Sequence, residues 1–135
     1  MANLDCLETK ENADNGVWFR VKLYGKEQPF SLKILGSDSD EVVKYAKEKL
    51  RKIRDSNKED GSLEALLDSN DNDVVVRLCG IRSEDDEKKV ILGNRELKND
   101  KESYKFMIEK IPALKEFVLE KSNERKNFLS EKKKD

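Results

Sequence analysis

Two stretches near the start of the chain alternate strictly between apolar and polar residues, and this constrains the fold more than any other feature. Val17, Phe19, Val21 and Leu23 fall on one side; Trp18, Arg20, Lys22 and Tyr24 fall on the other. A period of two is that of a strand with one buried face. Phe30, Leu32 and Ile34 alternate again with Ser31 and Lys33, and Gly25-Lys26-Glu27-Gln28-Pro29 between the two runs is turn-like. The pair therefore predicts an antiparallel hairpin. A lone hairpin is marginal in water, so its Val17/Phe19/Val21 and Leu32/Ile34 face must pack on something. The helical patterns that follow are the candidates.

The first of these opens at Gly36-Ser37-Asp38-Ser39-Asp40, where Ser37 or Asp38 can accept the free N–H groups of a helix start. Val42, Ala46, Leu50 and Ile53 recur at helical spacing, and Lys44, Lys47, Glu48, Arg51 and Lys52 take the opposite side, so a helix is expected over about Asp38–Arg54. Asp55–Gly61 is a polar break. Ser62–Ile81 reads two ways: Val74-Val75-Val76 has β propensity, whereas Leu63, Leu66, Leu67, Val74, Leu78 and Ile81 also fit one helix face, with Gly80 near its C-cap. Arg82–Lys89 is charged and irregular. Val90–Leu97 suits a short extended or turn element. Asn99 with Glu102 forms a capping-box variant before a stripe of Tyr104, Met107, Ile108 and Ile111. Pro112 suits the first turn of another helix, whose discontinuous stripe is Leu114, Phe117, Val118, Phe128 and Leu129.

The expected architecture is α+β, mostly α, with the N-terminal hairpin packed on a bundle of about four helices. A length of 135 residues fits one domain, read as residues 16–131, after a flexible leader over 1–15 and before a charged tail over 132–135. Only 36% of residues are hydrophobic and 42% are charged, which leaves a small core under a heavily solvated surface.

Composition also narrows the chemistry. The chain has no histidine, which removes the commonest general base and the imidazole metal ligand. No glycine-rich phosphate loop occurs. Asp68, Asn70 and Asn72 mimic the first half of a calcium loop, but Asp73 stands where glycine is required and Cys79 where the bidentate glutamate belongs. Cys6 and Cys79 show no metal spacing and read as unpaired thiols, one exposed and one buried, of a reducing cytosol. Catalysis, cofactors and metals are therefore not expected. A balance of 28 basic against 29 acidic residues gives a net charge of −1, without the excess that draws a protein to phosphates. The cluster Lys44, Lys47, Lys49, Arg51, Lys52 and Arg54 is interleaved with acids and lacks stacking aromatics, which argues for a solvated face rather than nucleic-acid binding. No apolar run approaches a membrane span.

The order of the pieces is familiar. Gly16-Val17-Trp18-Phe19-Arg20-Val21 leads into Phe30-Ser31-Leu32-Lys33-Ile34-Leu35-Gly36-Ser37-Asp38-Ser39. Near the end stand Ile111-Pro112-Ala113-Leu114-Lys115-Glu116-Phe117-Val118 and then Asn127-Phe128-Leu129. Over roughly Gly16–Leu129 this resembles the tail assembly chaperones of long, non-contractile-tailed bacteriophages and prophages. It departs from them at Cys79-Gly80-Ile81, where many relatives carry Gly-Trp, and in the acidic insert Ser83–Glu87. The resemblance favours the helical reading of Ser62–Leu78. It also implies a protein of the bacterial host cytoplasm that associates with its own copies, coats the tape-measure protein and recruits tail tube subunits. Its expected partner-binding residues are Trp18, Tyr24, Phe117, Phe128 and Leu129. Two bland alternatives stay open: a second layer covering Trp18 and Tyr24, and Phe128 and Leu129 closing the last helix stripe. The resemblance further implies a longer frameshifted product, for which Lys132-Lys133-Lys134 would suit a slippery codon run. The rival function is a small phage or prophage adaptor or regulator that binds a host protein or nucleic acid.

Overall fold

The computed structural model describes residues 2–56, 71–85 and 89–129. The expectations for the 57–61 part of the polar break, for the helix over 62–70, for Asp68 and Asn70, and for the tail over 132–135 lie outside the described residues, as does the side chain of Ile53. The fold is α+β.

Strand β1 (Val17–Leu23) pairs antiparallel with β2 (Lys26–Ile34), Val17 opposite Ile34 and Phe19 opposite Leu32. The turn is shorter than the composition of Gly25–Pro29 suggests. Only Tyr24 and Gly25 lie outside the strands, both at positive φ (55° and 76°), the geometry whose twist suits a two-residue hairpin. Pro29 is tolerated inside β2 because it falls where the register shifts, between the Arg20–Ser31 and Lys22–Glu27 pairs, so no ladder bond is asked of its missing N–H.

A third strand, β3 (Leu78–Ser83), pairs antiparallel with the other side of β2 and makes β2 the centre of the sheet. This corrects the helical reading of Leu78 and of Gly80 as a C-cap. The helix ends earlier: α3 is described over residues 71–75, and a turn at 76–77 leads into the strand. The alternation was concealed by an irregularity. Lys33 pairs with Gly80 and Ile34 with Leu78, so Cys79 is skipped. That extra residue lets Leu78 and Ile81, three apart, both be buried, and three-residue spacing mimics a helix.

A second hairpin follows, β4 (Val90–Leu92) with β5 (Arg95–Leu97), turning at Gly93 and Asn94 with φ of 59° and 64°. Helix α4 (Lys101–Lys110) is capped by Asp100, whose carboxylate accepts from the Ser103 N–H at 2.7 Å. The expected cap, Asn99, is engaged elsewhere, because its Oδ1 accepts from the Ile81 N–H of β3 at 2.6 Å. Helix α5 (Ala113–Asn123) starts after Pro112. Val21, Leu32, Ile34, Leu78 and Ile81 of the sheet share one core with Val74 and Val75 of α3, Leu97 of β5, Met107 and Ile108 of α4, and Leu114, Phe117 and Val118 of α5. The N-terminal hairpin is thus extended by β3 into a three-stranded sheet, and that sheet shares its core with the described helices.

Two further expectations change. The leader is helical over α1 (Lys10–Asn15), where Ala13 is buried. One alanine in a polar run has no periodicity to read. Helix α2 (Asp40–Ser56) is capped by buried Ser39, whose Oγ accepts from the Val42 N–H at 3.3 Å, rather than by Ser37 or Asp38. Among the described side chains of its expected stripe, Val42 is buried and Ala46 and Leu50 are exposed.

Candidate interaction surface

Leu35–Ser39, between β2 and α2, is where distant parts of the chain converge. Gly36 packs so tightly that an added Cβ would stand 2.6 Å from the Ala13 Cβ and 3.4 Å from the Phe128 ring. The Gly36 N–H donates to the Ala13 carbonyl at 3.0 Å. Ser122 is the polar hub. Its hydroxyl donates to the Leu35 carbonyl at 2.7 Å and accepts from the Arg77 Nε at 3.0 Å, and it lies 3.1 Å from the Ser37 hydroxyl. Ser37 also donates to Asn123 through a short hydrogen bond. Arg125 pairs with Asp38 at 2.6 Å, and this guanidinium holds the Asp38 carboxyl below the usual carboxylate range. Lys10 bridges Asp14 at 2.7 Å and Asp40 at 2.8 Å. Asn12 donates to the Phe128 and Leu129 carbonyls at 3.1 and 3.0 Å. A cleft of about 230 Å³ remains, walled mainly by groups already paired with one another. This corner is a structural clasp.

The clasp decides the status of two expected partner residues. Phe128 is buried, its ring edge-on to Phe19 at 6.2 Å, and Phe117 belongs to the shared core. Neither can meet a partner without unfolding, so both are corrected to core residues. Leu129 keeps an exposed side chain while its backbone is held by Asn12. The bland reading of the last stripe holds for Phe128.

Trp18 and Tyr24 part company. Trp18 lies on the outer sheet face in the row Trp18–Lys33–Gly80. Its ring covers Gly80, where a Cβ would meet the indole at 2.8 Å, so only glycine fits beneath it. The Arg82 guanidinium sits 4.3 Å from the ring centroid, a favourable cation–π distance. Glu84 fixes Arg82 at 2.9 Å, and a hydrogen bond from Ser31, together with Arg82, lowers the Glu84 carboxyl pKa. Among the described residues the cover on Trp18 is thus the Arg82 side chain, and the indole stays half-buried. Sequence reasoning missed Gly80, Arg82 and Glu84. Their signal, residues on one face of a strand next to Trp18, was hidden with β3 itself.

Tyr24 stands at the hairpin tip, 85% exposed. It occupies a left-handed position that a bulky side chain rarely takes. The register shift between Arg20 and Lys22, and the turn itself, separate it from Trp18, so the two do not form one aromatic patch.

Cys79, expected to be buried, is exposed like Cys6, with its thiol 3.5 Å from the Lys33 carbonyl. Among the described residues no group of three or more acidic or thiol side chains could hold a metal ion, and no helix is long and apolar enough to cross a membrane. No family model, curated protein or solved structure matches the chain.

Proposed function

We propose that the chain is a tail assembly chaperone of a long, non-contractile-tailed bacteriophage or prophage. It works in the host cytoplasm, without catalysis or cofactor, by associating with its own copies, coating the tape-measure protein and giving way to tail tube subunits. One observation carries the reading. The separated sequence pieces behind the resemblance are parts of one arrangement: Leu35-Gly36-Ser37-Asp38-Ser39 meets Phe128 at the clasp, and Gly16-Val17-Trp18 opens the strand beside it. A shared order of such pieces is what a shared fold requires, since each makes sense only with the others.

The contact residues of this reading are Tyr24, Trp18 and Leu129, the members of the expected set that keep exposed surface. A coat that is later displaced needs many weak contacts rather than one tight interface, and small exposed anchors suit that. The test is affinity capture from cells expressing the tail genes together. The wild-type chain should retain the long helical tape-measure protein, and a chain carrying Tyr24→Ser and Trp18→Ser, checked for an unchanged fold, should not. Capture of nucleic acid or a host regulator in its place would favour the adaptor reading and sink this one.

A further inference from the structure

We propose that residues 4–11 of one copy dock on helix α2 of a second copy. The inference rests on the self-association in the reading above but needs no phage partner to be tested. Along α2, Val43 is 38% exposed and Leu50 63% exposed, with exposed Ala46 between them. Steps of three and four residues place them on one seam, the spacing that receives a second apolar segment. Beside Leu50, an open groove of about 680 Å³ is lined by Lys47, Arg51 and Arg54 together with Glu48. These three cations form no salt bridge among the described residues.

The complementary surface is in the same sequence. Leu4 is 67% and Leu7 64% exposed, either side of a single 3₁₀ turn over Asp5–Leu7. Asp5, Glu8 and Glu11 flank them and likewise form no salt bridge among the described residues. An apolar pair rimmed by acids thus faces an apolar seam rimmed by bases. Two leucines three apart span about one helical turn, roughly 5–6 Å, which fits over Ala46 between Val43 and Leu50.

The partner is a second copy because neither surface is covered within its own chain. Leu4 and Leu7 stand 67% and 64% exposed while Lys10 and Asp14 hold α1 to Asp40 at the start of α2, and Val43 and Leu50 of the same chain stay exposed. Segment and helix are different surfaces, so the contact is head-to-tail and extends into open chains.

Cys6, exposed between Leu4 and Leu7, is a built-in reporter. The full chain with Cys79→Ser and Lys47→Cys is oxidised mildly and run without reductant, its melting temperature first checked against wild type. A ladder of covalent oligomers through Cys6 and the introduced thiol is expected. It should vanish with Leu4→Ser plus Leu7→Ser, and in about 1 M salt, where the Debye length is about 3 Å. It should also vanish with Glu8→Lys plus Glu11→Lys and return when Arg51→Glu and Arg54→Glu are added. A disulfide closed within one chain, no ladder at high protein concentration, or a ladder indifferent to the leucines would overturn the contact. None of these results bears on capture of the tape-measure protein.

Discussion

The clasp around Gly36 and the tip at Tyr24 are built on opposite plans. At the clasp, Ser37, Asp38, Ser122 and Arg125 each have a partner within the chain, and the central glycine is fixed by contact with Ala13 and Phe128. At the tip, an aromatic side chain meets solvent from a backbone position that disfavours it. The second hairpin supplies a control, because its turn has the same positive φ at both residues yet carries Gly93 and Asn94, the types that suit it. Tyrosine at the first turn thus carries a strain that the second turn avoids, and under the proposed function its exposed ring is a partner contact.

Breaking the clasp should have the largest effect. Phe128→Ala empties a fully buried site against Phe19 and Gly36 and should cost about 3–5 kcal/mol, read as a lower urea midpoint at unchanged slope. A midpoint within error of wild type would show that the C-terminal end does not close the fold. Ser122→Ala should cost about 1–3 kcal/mol, because the buried Leu35 carbonyl and the partly buried Arg77 Nε both lose their partner. The tip should behave in the reverse sense. Tyr24→Asn should raise stability by about 1 kcal/mol, relieving the left-handed strain, while weakening partner capture. A loss of stability instead would place the ring in the fold's own packing and erase the contrast.

The smallest effect concerns acid. Arg125 lowers the Asp38 carboxyl pKa, and Lys10 with the Asp40 N–H lowers that of Asp14. A depressed carboxylate stabilises the fold above its unfolded value of about 3.9 and loses that contribution as pH falls through the lower folded value. Both pairs are exposed, so the change is modest and shrinks in salt. Urea midpoints taken from about pH 5 down to about pH 2 should fall less steeply in Asp38→Asn than in wild type. Equal slopes would remove the Arg125 pair from the acid response.

The first hairpin and helices α4 and α5 were legible because their apolar residues repeat with the period of the element that buries them. Leu78, Cys79 and Ile81 were misread because one skipped residue converts a strand's spacing into a helix's. Ala13 was invisible because its burial depends on Gly36 and Phe128, far away in sequence. Helix α2 shows a different limit. Its pattern correctly gave a helix with an apolar side, but a pattern does not say whether the molecule covers that side itself. Of the expected contact residues, Trp18 and Tyr24 were placed by alternation on the face opposite Val17 and Phe19, but alternation left open whether a second layer covered them. Phe117 and Phe128 carried the periodicity of core residues, and core is where they lie.

The Asn12 clamp also bears on how the chain folds as it is made. Asn12 and Ala13 leave the ribosome early, yet their carbonyl and ring partners lie at Phe128 and Leu129, more than a hundred residues later. The sheet hairpin can form on the nascent chain from local contacts, whereas α1 and the Gly36 loop must wait with their packing surface open. Closure of so distant a contact is slow and comes last. A nascent-chain stall before Phe128 should therefore leave α1 open to protease, and a stall well beyond Leu129 should protect it.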